Sequence, residues 1–145
     1  MTDLRAALDI ALEASKAAEV PILQHFRTPN LSASHKGDGS PVTIADQAAE
    51  RVIREVLQAR SPFDILGEEE GYSPGADGAG RWIIDPIDGT NGFARGVPIW
   101  GVLIAYEAEG TVQLGVASAP ALGTRWWAAR GLGAYRGATV GGHAG

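Results

Sequence analysis

The apolar residues of this chain recur at helical spacing as far as Arg60, and from Phe63 onward they fall in short, strand-length runs. That single change of period is the strongest constraint on the fold. Two helices come first and about five strands follow, so the chain is expected to be α+β, with two helices packed on a largely antiparallel sheet. The first helix is expected from Asp3 to about Phe26, with Asp3 as N-cap and Leu4, Leu8, Ala11, Leu12, Ser15 and Ala18 along one face. Pro21 should kink or restart it, because proline lacks an amide hydrogen and crowds the preceding turn. Arg27 to Pro41 reads as a polar loop. The second helix is expected from about Ile44 to Arg60, opened by the Thr43–Asp46 capping pattern and burying Val52, Ile53, Val56 and Leu57.

Strands are expected at Phe63–Leu66 and at Arg81–Ile84, the latter stopped by Asp85-Pro86, and then near Ile99–Tyr106, Thr111–Ser118 and Thr124–Ala129. Glu109-Gly110 and Leu122-Gly123 are the turn signals of a meander. Tyr72 to Gly80 reads as a connection without periodicity. Gly131-Leu132-Gly133 is a turn rather than a nucleotide loop, since no strand-to-helix context surrounds it. Trp126 and Trp127 should face opposite sides of a strand. No repeat is present. No helix follows to cover the second face of the meander, so residues 1–145 are expected to be one domain of a longer protein.

Charge narrows the function. Acidic residues outnumber basic ones 17 to 12, giving a net charge of −5, which argues against nucleic-acid partners. The absence of cysteine excludes disulfides and thiolate metal sites. No apolar run approaches the roughly 18 residues needed to cross a bilayer. The N-terminus shows no basic leader with an apolar stretch, so a cytoplasmic enzyme without membrane partners is expected. His25, His35 and His143 are isolated, and surface or loop positions suit them better than metal ligation.

Chemistry concentrates in Asp85-Pro86-Ile87-Asp88-Gly89-Thr90. A buried strand delivers Asp85, and Asp88 follows across a turn, so two carboxylates can converge on one point. Hard divalent cations such as Mg²⁺ take oxygen ligands of this kind, backbone carbonyls included. Gly89-Thr90 supplies free amides that suit a phosphate oxygen. Together these features describe metal-assisted phosphoryl transfer to water. Glu68-Glu69-Glu70 also stands at a strand end. Alone it reads as a solvated loop, but beside Asp85 it would join the same carboxylate cluster. Asp46, alone, reads equally as a cap or as a catalytic group.

Trp82 to Thr90, preceded by Gly67-Glu68-Glu69 and by Lys36-Gly37-Asp38-Gly39-Ser40-Pro41-Val42-Thr43-Ile44-Ala45-Asp46, resembles the three ordered motifs of the inositol monophosphatase family. The resemblance implies a layered sugar-phosphatase fold of which this is the N-terminal domain. It implies a Mg²⁺-dependent, lithium-sensitive phosphatase with two or three ions in the complete enzyme. Glu68, Asp85 and the Ile87 carbonyl would hold one metal, and Asp85 with Asp88 a second. Thr90, hydrogen-bonded to Asp46, would orient and deprotonate the attacking water, with Glu68 assisting. The Gly89 and Thr90 amides would bind phosphate. Glu69 and Lys36 would lie behind these ligands, supporting them. The family usually carries Asn-Phe two and three residues after the threonine, where this chain has Gly92-Phe93.

Phe93-Ala94-Arg95-Gly96-Val97-Pro98-Ile99-Trp100 and the Asp38–Thr43 stretch are more similar to the histidinol-phosphatase branch than to the inositol branch, with Arg95 on the substrate side. The resemblance therefore implies hydrolysis of a small phosphorylated metabolite, histidinol phosphate first, within histidine biosynthesis. Inositol 1-phosphate or a related sugar phosphate comes next. It also implies a homodimer in the complete protein. The alternative of another class is an inactive fragment that binds metal and anion, because the family takes a further metal-binding aspartate and most substrate contacts from a C-terminal half.

Overall fold

The computed structural model describes residues 2–27 and 41–139. Helix α1 spans Leu4–His25, and the Asp3 carboxylate caps it by accepting from the amides of Arg5 (3.0 Å) and Ala6 (3.2 Å). It does not restart at Pro21. Ile22 is fully buried, and the Phe26 amide donates to the Ile22 carbonyl at 3.0 Å, so packing of the last turn outweighs the proline penalty of about 3 kcal/mol. The loop expected over Arg27–Pro41 lies almost wholly outside the described residues. Helix α2 spans Pro41–Arg60 and thus starts ahead of the expected Ile44. Proline is favoured at a first helical position, where its missing amide hydrogen would have no acceptor anyway, so Thr43 falls inside the first turn rather than at its cap.

The strands are β1 (Phe63–Gly67), β2 (Gly71–Ser73), β3 (Asp77–Asp88), β4 (Gly101–Ala108), β5 (Thr111–Ala119), β6 (Thr124–Ala129) and β7 (Gly133–Ala138), with a short helix α3 at Thr90–Ala94. They form one sheet in the order β2-β1-β3-β4-β5-β6-β7. Every neighbouring pair is antiparallel except β1 and β3. The stretch expected to be a bare connection thus holds β2 and the start of β3. After β2 the chain passes close beneath β1: the Gly75 amide donates to Asp64 at 2.8 Å and the Asp77 amide to the Pro62 carbonyl at 2.8 Å. Edge strand β2 is too short, and too polar, to show a period.

Pro86 does not end β3. Asp85 pairs with Leu103 and Asp88 with Gly101, so two residues of β3 face Val102 alone. This is a β-bulge, which lets a strand absorb a proline while staying in the sheet.

Both long helices cover one face. The row Ile65, Trp82, Tyr106, Leu114 and Ala129 runs across the sheet beneath them, and all five are buried. Trp82 donates its indole hydrogen to Ser61 at 2.8 Å. Of the two adjacent tryptophans, Trp126 is 42% exposed on the uncovered face, while Trp127 packs against the core and stacks on Tyr135. Among the described residues no helix is long and apolar enough to cross a membrane.

The α1 stripe also buries charge. Glu19 accepts two bonds from Arg125, at 2.6 and 2.8 Å, and further ones from Ser118 and Ser15. Both charged side chains are 4% exposed. Removing one partner of such a pair strands the other in the interior. Arg125→Ala should therefore cost about 3–5 kcal/mol in urea unfolding, whereas Arg125→Met with Glu19→Leu should recover most of the loss.

Candidate active site

The parallel alignment of β1 and β3 brings both of their C-terminal ends to one edge of the sheet. Gly67 pairs with Ile84, so Glu68 leaves β1 beside Asp85. The Asp85 carboxyl is pushed up to about 7 from the ordinary 3.8. Burial is the largest cause. Hydrogen bonding with Glu68 follows, then the negative charges of Glu68, Asp88 and Asp46. Three acidic residues, Asp46, Glu68 and Asp88, thus act on Asp85 at this corner.

Their surroundings differ. Asp46 is 1% exposed on α2, whereas Glu68 and Asp88 are solvent-exposed. Ile87 has a buried side chain within the bulge, where its backbone leaves the regular ladder. Gly89 follows at φ 90° and caps α3. A Cβ there would stand 3.1 Å from the Ile99 carbonyl, so both conformation and space call for glycine. Thr90 opens α3, whose first-turn amides have no intrahelical acceptors. Gly92 is confined in the same way, 3.2 Å from the Ile99 carbonyl to its would-be Cβ. An aromatic cluster of Phe26, Phe93 and Trp100, with centroids 5.1–5.4 Å apart, anchors this segment to the end of α1. Arg95 is exposed beyond α3, and the next carbonyl, that of Gly96, accepts from Arg27 Nε at 3.0 Å. Lys36, His35 and His143 lie outside the described residues.

The donor set suits a hard divalent cation. It offers oxygen atoms only, and Asp85 Oδ1 is buried without a hydrogen-bond partner among the described residues. Among the described residues no three histidine, aspartate or glutamate side chains are gathered closely enough to hold a metal ion as they stand, although Glu68, Asp88 and Asp46 all act on Asp85.

The sequence reading passed over Glu50 and Arg54. Glu50 is fully buried, and its carboxylate accepts from the amides of Glu69 (2.9 Å) and Glu70 (2.7 Å) and from Arg54 Nε (3.1 Å). Arg54 donates onward to Ser73 Oγ at 2.8 Å and to the Gly71 carbonyl. A signal existed: Asp46, Glu50 and Arg54 repeat every four residues, one place behind the apolar line Ala45, Ala49, Ile53 and Leu57. Charges at that spacing beside a buried stripe must be paired.

The model of the inositol monophosphatase family matches residues 3–141. The chain belongs to that family. It is 47% identical over 134 residues to a histidinol-phosphatase of Chlorobaculum parvum, covering 92% of this chain and 50% of that protein. To an inositol-1-monophosphatase of Rhizobium meliloti it is 39% identical over 132 residues, covering 90% and 50% respectively. The fold agrees with a solved inositol monophosphatase from Anabaena, at TM-score 0.78 and 35% identity, over 93% of this chain and 48% of that one. This inositol monophosphatase family chain spans about half the length of the curated relatives it matches.

The raised Asp85 value has a direction for stability. Between the ordinary 3.8 and about 7, the folded chain holds a proton that the unfolded chain releases. Its contribution is full below that window and is lost as pH rises through it. In metal-free buffer the stability of wild type relative to Asp85→Asn should therefore fall between about pH 4 and pH 7, as read by denaturant titration across that range.

Proposed function

We propose that this chain is the metal-binding half of a Mg²⁺-dependent phosphomonoesterase whose substrate is histidinol phosphate. The observation that carries the reading is the meeting of Glu68, Asp85, Asp88 and Asp46 at one sheet corner, with a buried Asp85 oxygen that has no hydrogen-bond partner among the described residues. Glu68, Asp85, Asp88 and the Ile87 carbonyl would hold Mg²⁺, in two or three ions once the protein is complete. A cation held by these residues would supply Lewis-acid polarisation of a phosphoryl oxygen and would lower the pKa of a water.

The remaining work belongs to the chain. Thr90 orients the attacking water and passes its proton to Asp46, which burial keeps from competing solvent. The Gly89 and Thr90 amides hold a phosphate oxygen, as unpaired amides at a helix start do. Arg95 faces the remainder of the substrate, Glu69 supports the ligands from behind, and Lys36 is proposed to assist them. Histidinol phosphate is favoured over inositol phosphate by the Phe93–Trp100 segment and by the higher identity to relatives bearing the histidinol-phosphatase name. A cytoplasmic homodimer is the form proposed for the complete protein.

Mg²⁺ titrated into the 145-residue chain should give binding heat in a calorimeter, and Asp85→Asn should abolish it. An equal response from both proteins would remove the site. In a protein extended to the length of its relatives, histidinol phosphate should give the higher kcat/KM. There Asp46→Asn and Thr90→Ala should each lower kcat by roughly 10²-fold or more, with melting temperatures recorded beside the rates to separate catalysis from folding. Near-normal kcat in Asp46→Asn would reduce that residue to a structural part of α2.

A further inference from the structure

We propose that Glu50 and Arg54 are positioning residues that set the place of Glu68 and, through it, the affinity of the corner for Mg²⁺; the inference rests on the reading of Glu68 as a metal ligand given above. Glu68 is an exposed side chain at the start of a turn, and the hydrogen bond it makes is to Asp85, itself one of the proposed metal ligands. The turn is fixed from behind. The two amides immediately after Glu68 both donate to one buried carboxylate, that of Glu50. The carbonyl and hydroxyl that open and close β2, from Gly71 and Ser73, are both held by the Arg54 guanidinium. Glu50 and Arg54 are joined to each other at 3.1 Å. A single ion pair on α2 therefore holds the chain from Glu69 to Ser73.

Ahead of Glu68 the fit is equally close. A Cβ on Gly67 would stand 2.7 Å from Arg54 Nη2 and 2.7 Å from the Glu50 carboxyl. Gly67 thus lets the ion pair press against the backbone on the near side of Glu68, while the amide bonds secure the far side. Asp46 lies one turn before Glu50 on the same helix. Helix α2 therefore contributes one acidic residue to the corner and uses the next to hold the turn that carries Glu68. The ion pair also keeps a fifth negative charge out of the corner, because the Glu50 carboxylate is matched by Arg54 and by two amide donors. Groups that orient a metal's ligands are typically worth 10–100-fold in affinity.

Glu50→Gln tests this. The Glu70 amide and Arg54 share one carboxylate oxygen and the Glu69 amide uses the other, so a glutamine in either orientation turns its NH₂ group against at least one of these donors. Calorimetric Mg²⁺ affinity of the 145-residue chain should fall by about tenfold or more. In metal-free protein, hydrogen exchange at the Glu69 and Glu70 amides should accelerate by at least about tenfold beyond any global change, as expected for local opening. Glu19→Gln is the control. It removes a buried charge from the Arg125 pair, with no bond to residues 67–73, so it should lower the melting temperature while leaving Mg²⁺ affinity and Glu69–Glu70 exchange alone. Arg54→Lys keeps a charge near Glu50 but cannot hold Gly71 and Ser73 together. It should weaken Mg²⁺ several-fold, and it carries the test if Glu50→Gln does not fold. Wild-type affinity in either folded variant, or an equal affinity loss in Glu19→Gln, overturns the positioning role alone. Absence of Mg²⁺ binding in wild type overturns the functional reading and this inference with it.

Discussion

Two strands that run side by side in the same direction release the chain at the same edge, and here β1 and β3 do so at Gly67 and Asp88. Were β3 antiparallel to β1, Glu68 and Asp85 would sit at opposite ends of the sheet. The parallel register rests on a tight return beneath β1, held by bonds from Gly75 and Asp77 to Asp64 and Pro62. Parallel neighbours ordinarily need a longer crossover, usually a helix. An edge strand serves instead, because β2 can reverse alongside β1 before the chain passes under it to the other side.

Gathering carboxylates at one corner is costly in the absence of a compensating charge, and the charges of Glu68, Asp88 and Asp46 add to burial in raising Asp85. The fold meets it with division of labour along α2. Asp46 is turned into the corner, while Glu50 is neutralised by Arg54 and by backbone donors. A second buried pair, Glu19 with Arg125, ties α1 to β6. The interior of this small layered fold is therefore braced by ion pairs as well as by the buried row from Ile65 through Trp82 to Ala129. The carboxylate of each pair accepts additional hydrogen bonds, from the Glu69 and Glu70 amides at Glu50 and from Ser15 and Ser118 at Glu19, which makes its burial more tolerable.

The helices, the meander and the sheet edge bearing Asp85 and Asp88 were legible because each announces itself locally, through period, turn residues or an interrupting proline. What escaped had no local signature. β2 has only three residues, and the start of β3 is glycine-rich, so pairing with β1 and β4 decides them rather than propensity. Pro86 looked like a strand terminator because the bulge that accommodates it depends on Leu103 and Gly101, residues far along the chain. Pro21 looked like a helix breaker because the burial of Ile22 could not be read from α1 alone. Glu50 and Arg54 resembled a surface i,i+4 pair. Only the course of the Glu69–Ser73 turn shows that they face inward.

All the residues of the proposed site within the described structure fall between Asp46 and Arg95, although α1 and β4–β7 flank that segment on either side. The loops that must close to join α2, β1 and β3 are therefore short. Closure entropy grows only with the logarithm of loop length, yet short separations still favour early formation, because fewer residues are ordered before contacts reward them. The carboxylate corner is thus assembled at intermediate separations, longer than the hairpin pairings within β4–β7 and shorter than the contacts of α1 with β4, β5 and β6. Chain order places its repulsive grouping within one segment, while the packing of α1 on the meander adds the most distant contacts.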